Sequence, residues 1–292
     1  MSLFTKQRIQ YTHLEIDRLS KKEVLHVRNM HALTQAAGYL KFVLAPEGKH
    51  VWFRGQNCHY GSLEPSLFRR FRTSSGHQKA IAAVRKAVAS YAESAQLLAQ
   101  VSSEAREPLL QHYGLRTSWI DLVDNVWISL WFACHHVSST PDGKHLHFEQ
   151  RIPRNEPENQ RFAYILLIAT DFGTTVDSCP GLWRGPTTET IDLRIATPSI
   201  FIRPHAQHGV LFRLRGTAAN ARPSDYSDAI KGVIRVDLAD ALDWLGSGSL
   251  LKTHSLFPPP FYDHGFRLLL DADTRSTDVQ SRVVGRIHHV GS

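Results

Sequence analysis

Arg54 and Gly55 close the short apolar run Val51-Trp52-Phe53, and Gln56 follows them. An arginine placed there offers a planar fork of N–H donors that fits a phosphate or a carboxylate. The glycine beside it lets the chain turn and lets a ligand approach the backbone. A guanidinium paired inside the fold with Asp121 uses the same chemistry, so both roles stay open. Further along come Gln111-His112-Tyr113-Gly114 and then Thr117-Ser118-Trp119-Ile120-Asp121. His112 and Tyr113 supply rings that can stack on a base or pack in a core. Thr117 and Ser118 supply hydroxyls, which equally cap a following helix. Asp121, with Asp124 soon after, is a carboxylate beside heavily apolar sequence and needs a partner, for which Arg54 and Arg116 are the candidates. Arg69, Arg70 and Arg72 form the densest basic cluster, suited to nucleic acid or to a solvated face. The stretch Arg203 to Gly209 precedes a strand and reads as a binding loop or as a plain surface connection.

These groups need elements to hold them. Leu33, Ala36, Leu40 and Val43 share one face of a helix over His31 to Val43. A strand over His50 to Arg54 runs into a turn at Gly55. Ile81, Val84, Val88, Tyr91, Ala95 and Leu98 mark a helix over Gln78 to Val101, with Ser75 as its N-cap. A shorter helix around Pro108 ends at Gly114. Asn125 to His136 is apolar nearly all round and predicts a buried helix. Ser138 to Gln160 is polar and predicts an exposed linker. Ala163 to Ala169 reads as a central strand, with further strands over Glu189 to Ile195, Ser199 to Arg203, Gly209 to Leu214 and Gly232 to Leu238. Asp237 or Asp240 caps a short helix through Trp244, and Thr274 to Val284 predicts a tail helix. The fold class expected is α+β, a helical N-terminal half packed on a mixed, mainly antiparallel sheet. Residues 1–45 form a helical extension, 46–260 the main domain, and 261–292 a segment packed on that domain.

Of the 292 residues, 42% are hydrophobic and 21% charged, which suits a globular protein of one large domain or two small ones with a buried core. No apolar run approaches the ~20 residues that cross a bilayer, so no membrane partner is expected. The N-terminus lacks an apolar signal core, and the cytoplasm is the expected compartment. Cys58, Cys134 and Cys179 are odd in number and far apart, which argues against a disulfide framework and a CxxC site. The 17 histidines include close pairs but none at the i, i+4 helical spacing of a zinc-protease pair, so no metal is expected. A net charge of +7, mostly scattered, favours a polyanionic partner. There is no GxSxG, P-loop or GxGxxG.

Several of these stretches, taken in order, resemble the FRG-domain family. They are Phe53-Arg54-Gly55-Gln56, Pro65-Ser66-Leu67-Phe68-Arg69, Gln111 to Gly114, Thr117 to Asp121, Leu130-Trp131-Phe132-Ala133, and Arg203 with Ala206-Gln207 and Gly209. Gly232 to Leu238 and Leu256-Phe257-Pro258 resemble its closing segment, and the likeness covers roughly residues 46 to 260. The order of motifs is also similar to that of ADP-ribosyltransferases. That second resemblance implies a fold of that kind, with NAD as substrate. Arg54 would hold the phosphates or ribose, Thr117 and Ser118 would fill the hydroxyl motif, and Gln207 would stand where the catalytic glutamate does. Gly55, Gln56, His112, Tyr113 and Asp121 would complete the NAD site. DNA, RNA or protein would be the acceptor, an antitoxin a partner, and toxin or phage-defence effector the role. Gln207 is neutral: it can bond a ribose hydroxyl but cannot act as a base. Either Asp121 or Glu189 contributes an acid, or the acceptor needs little activation, or the domain only binds a nucleotide or nucleic acid.

Overall fold

A computed structural model describes residues 3–6, 9–71, 73–216, 224–273 and 283–291. The chain begins with β1 (Thr12–Ile16), β2 (Glu23–Val27), α1 (Met30–Leu44), β3 (Lys49–Gln56), α2 (Ser74–Ser94) and α3 (Ser103–His112). Next come β4 (Ile120–Val123), α4 (Val126–Ala133), β5 (His135–Ser139), β6 (His145–Gln150), β7 (Phe162–Asp171), β8 (Thr174–Val176) and β9 (Cys179–Arg184). Then follow β10 (Thr188–Asp192), α5 (Leu193–Ala196), α6 (Ile202–Ala206), β11 (Gly209–Leu214) and β12 (Ile230–Asp237). The last elements are α7 (Leu238–Leu245), α8 (Thr253–Leu256), α9 (His264–Asp273) and β13 (His289–Gly291).

Among the described residues, ten strands join one sheet in the order β1-β2-β12-β7-β3-β4-β11-β10-β9-β8. Only β2 beside β12 is parallel; the other neighbours are antiparallel. A small second sheet runs β13-β6-β5. The protein is therefore α+β with a mixed, mainly antiparallel sheet. β7 is the spine: Ala163, Ile165 and Leu167 pack on one face with α1, α4 and α7, while Tyr164, Leu166 and Ile168 pack on the other with Trp52 and Phe212. A third cluster sets α2, α3 and α9 against Leu182, Ile191 and Leu211 of the outer strands.

Local signals explain the helices that carry the site. Asn29 caps α1 by accepting the Ala32 N–H at 2.8 Å. Ala32, Leu33, Ala36, Ala37, Leu40 and Leu44 then form its buried stripe, each larger side chain contributing ~1.5–3 kcal/mol by burial. The Asn125 side chain accepts the N–H groups of Trp127 and Ile128 and so starts α4.

Several expectations need correction. The cap of α2 is Thr73, which accepts the Gly76 N–H at 3.1 Å, and Ser75 lies inside the helix. α2 ends at Ser94, and a 3-10 turn, Gln96–Gln100, follows. The expected linker Ser138 to Gln160 contains most of the β5–β6 hairpin. Ser199 to Arg203 is not a strand, because α6 begins at Ile202. Residues 12–27, expected within a helical extension, form two strands, and β2 joins the main sheet beside β12. The tail helix expected over Thr274 to Val284 falls almost wholly outside the described residues.

Candidate functional site

The site begins where two neighbouring strands part. β3 pairs with β7 along its whole length, from Lys49↔Asp171 to Gln56↔Tyr164. On its other side it meets β4 only at Phe53↔Val123. Beyond that pair the Arg54 guanidinium bridges the gap, its Nη1 donating to the Asp121 carbonyl at 2.7 Å. The strand does not turn at Gly55. The glycine is needed because α4 crosses there: a Cβ on Gly55 would sit 1.8 Å from the Ser129 carbonyl oxygen and 2.8 Å from the Ala133 nitrogen.

The opening is a cleft of about 1510 Å³. Its walls are the end of β3, the segment around residues 62–70, the end of α3, α6, the β5–β6 hairpin and the C-terminal residues 285–288. The tail is held there by Arg116 N–H donating to the Val284 carbonyl at 2.6 Å and by β13 pairing with β6. Gly114 makes room for it: φ is +133°, and a Cβ would lie 2.4 Å from the His288 ring. Seven cationic side chains line the cleft (Arg54, Arg69, Arg70, Arg116, Lys144, Arg203 and Arg286) against three carboxylates, Glu64, Asp121 and Asp142. The local excess of four is more than half of the chain's net +7, although most of its 34 Lys and Arg residues lie elsewhere. A concave, positive surface of this kind attracts polyanions.

The electrostatics are those of crowded cations. Burial lowers the pKa of Arg54, with Asp121 opposing and Arg69 adding to the shift. Burial and the charge of Arg70 both lower that of Arg116. For Asp121, burial pushes the pKa up, but the His112 contact and the Arg54 charge, with Gln111, outweigh it and hold the carboxyl below its ordinary range. Gln111 Nε2 donates to Asp121 Oδ2 at 2.8 Å, and His112 Nδ1 lies 3.4 Å from Oδ1.

Of the residues singled out in the sequence, Arg54, Gly55, Gln56, Arg69, Arg70, His112, Asp121 and Gln207 line this cleft. Tyr113, Thr117 and Ser118 do not. Thr117 is fully buried; its hydroxyl donates to Gln111 Oε1 and accepts the Trp119 N–H at 3.0 Å. Tyr113 donates to Asp263 Oδ2 at 2.6 Å within the core. Ser118 is buried, and its carbonyl accepts the Tyr226 hydroxyl. Glu189 is buried between Arg184 and Arg213, away from the cleft. Gln207 reaches the cleft, yet its Nε2 donates to the Leu256 carbonyl at 2.7 Å. Arg72 lies outside the described residues. Sequence reasoning gave no site role to Gln111, Lys144, Arg286 or His288, and it placed Arg203 only within a candidate binding loop, with no role of its own.

Among the described residues, no three His, Cys, Asp or Glu side chains converge to hold a metal, and no helix is long and apolar enough to cross a membrane. The family model of the FRG domain matches residues 49–141. That stretch contains β3 to β5, and with them the Arg54 and Asp121 side of the cleft; α6 and the C-terminal wall lie beyond it. No curated protein and no solved structure matches the chain.

Proposed function

This chain carries an FRG domain at residues 49–141, and we propose that the cleft beside Arg54 binds a nucleotide through its phosphates and hosts transfer of an ADP-ribosyl group from NAD. One observation carries the reading. The Arg54 guanidinium lines the cleft with a single hydrogen bond to a backbone carbonyl, its Nε is unpaired, and it makes no ion pair among the described residues. The charge of Asp121 acts on this half-buried guanidinium without a direct ion pair, so its donor fork stays open to a phosphate.

In such a transfer the bond between ribose C1′ and the nicotinamide nitrogen breaks. Its electron pair leaves with nicotinamide, and the ribosyl cation takes a lone pair from the acceptor, which sheds a proton. Asp121, ionised beside Arg54, is suited to stabilise the cation. Its lowered pKa makes it a weak base, so the acceptor's proton passes to water. The fold expected from the ADP-ribosyltransferase resemblance is part of this proposal. Arg69 and Arg70 on the rim suit a nucleic-acid acceptor, and that chemistry fits a toxin or a phage-defence effector.

A binding-only reading has its own support, because the Thr117 hydroxyl and the Gln207 amide are committed to internal hydrogen bonds. The test is incubation of the full chain with labelled NAD and DNA, RNA or lysate, with released nicotinamide followed by mass spectrometry. The expected result is release that is abolished in Arg54→Ala and about a hundredfold slower in Asp121→Asn. Saturable NAD binding without release would favour the binding-only reading. Folded protein that neither binds nor cleaves NAD would overturn both.

A further inference from the structure

Two arginines in this fold are almost completely inaccessible, and they are satisfied very differently. Arg151 is 1% exposed; its two terminal nitrogens donate to the carbonyls of Ala133, Phe162 and Gln160, and its Nε, without a hydrogen bond, lies 3.5 Å from the Glu156 carboxylate. It is a structural arginine, tied by backbone oxygens and a counter-ion, and it does not line the cleft. Arg203, on α6, is 2% exposed and does line it. Its Nη1 donates to the His112 carbonyl at 3.2 Å, but Nε and Nη2 are buried without a hydrogen-bond partner. It makes no ion pair among the described residues. Asp263, the nearest acid to influence it, already accepts the Tyr113 hydroxyl and the N–H groups of Arg203 and Phe266. The rings of Tyr113, Phe266 and Phe257 hold the guanidinium at 4.4, 4.5 and 5.3 Å. Such stacking fixes the orientation of the fork before any ligand arrives.

Arg203 is linked to Arg54 through one short relay. Arg54 donates to the Asp121 carbonyl, His112 contacts the Asp121 carboxylate, and the His112 carbonyl accepts from Arg203. We infer that Arg203 is a second anion-binding group of the cleft, set across the Asp121–His112 pair from Arg54, and that the ligand is a nucleotide carrying two phosphates. The inference rests on the phosphate reading of the cleft and adds a specificity to it: a pyrophosphate-bridged nucleotide is preferred to a mononucleotide.

The experiment is calorimetric titration of the full chain at fixed ionic strength with AMP and with ADP-ribose, for the wild type, Arg54→Ala, Arg203→Lys and Arg203→Met. The expected wild-type preference for ADP-ribose is about tenfold or more, the effect of one further charge-assisted contact. Arg203→Lys and Arg203→Met should bring the two affinities together, with the greater loss falling on ADP-ribose, whereas Arg54→Ala should weaken both. A preference that survives in either folded Arg203 variant overturns the inference. If neither variant folds, the wild type decides alone: tenfold or more supports a second phosphate group, and less overturns it. Wild-type protein that binds neither ligand overturns the phosphate reading itself. AMP binding without a gain for ADP-ribose overturns only the role of Arg203.

Discussion

Gly55→Ala is expected to destabilise the protein through the helix behind the strand, before any ligand is considered. The added Cβ would stand 1.8 Å from the Ser129 oxygen and 2.8 Å from the Ser129 carbonyl carbon and the Ala133 nitrogen, all backbone atoms of α4. Restoring ordinary contact at ~3.5 Å requires a relative shift of about 1.7 Å between β3 and α4. α4 cannot absorb that locally, since Leu130, Trp131 and Ala133 are at most 2% exposed and belong to the main core cluster. Overpacking typically costs ~1–3 kcal/mol, and a clash of backbone on backbone belongs at the upper end. A loss of ~3 kcal/mol would lower Tm by about 6–12 °C for a chain of this size. Gly38→Ala is the matched control. It makes the same substitution on the exposed side of α1, where a Cβ would meet nothing within 4 Å, and helix propensity predicts a gain of ~0.5–1 kcal/mol. Thermal melts followed by circular dichroism should therefore move in opposite directions. A Gly55→Ala melt within about 1 °C of wild type would refute the packing account. If that variant also lost NAD binding, the glycine would be there for the ligand.

Three further changes probe the frame around the cleft. Thr117→Val leaves Gln111 Oε1 and the Trp119 N–H without the hydroxyl they share, and should cost ~2–3 kcal/mol in denaturant unfolding; a loss of turnover at unchanged stability would contradict a structural role. Asp171 accepts N–H bonds from Thr187 and Thr188 and pairs with Lys49. Burial pushes its pKa up, but Lys49 and the Thr187 contacts push it down further. Because the folded pKa lies below the unfolded value of ~3.9, the stabilisation is complete above that pH and is lost as pH falls below it. The Tm gap between wild type and Asp171→Asn should narrow from pH 7 to pH 3, and a constant or widening gap would refute the assignment. Gly114→Ala would drive a Cβ into His288 and the Arg286 carbonyl. Hydrogen exchange should then speed up by about tenfold or more at the His288 and His289 amides, which bond to Tyr113 and Lys144; unchanged protection would show that the tail does not depend on this glycine.

What could be read from the sequence follows from how far apart the deciding partners lie. β7 and β11 were legible because burial on both faces leaves continuous apolar runs, and α4 because core surrounds most of it. The β5–β6 hairpin was not, since its residues are mostly exposed and its apolar alternation is confined to Leu146 and Phe148 in β6. α6 has five residues with Pro204 among them, too short for a helical period. The same limit governs the site. Residue types are local, so Arg54 and Asp121 could be picked out by type and Gln207 by the resemblance of its motif. Whether a donor is already satisfied is not local. The Thr117 hydroxyl, three residues after Gly114, reads alike whether it faces a ligand or, as here, ties Gln111 to Trp119. Arg54 is held by a carbonyl 67 residues away and Arg203 by one 91 residues away. Arg151 and Arg203 are equally plain arginines in the sequence, and only the carbonyls and the carboxylate gathered around the first show that the second has donors left over. The unsatisfied charge that argues for a ligand is thus a property of the folded contact set, which is why the chain's modest +7 understates the cleft.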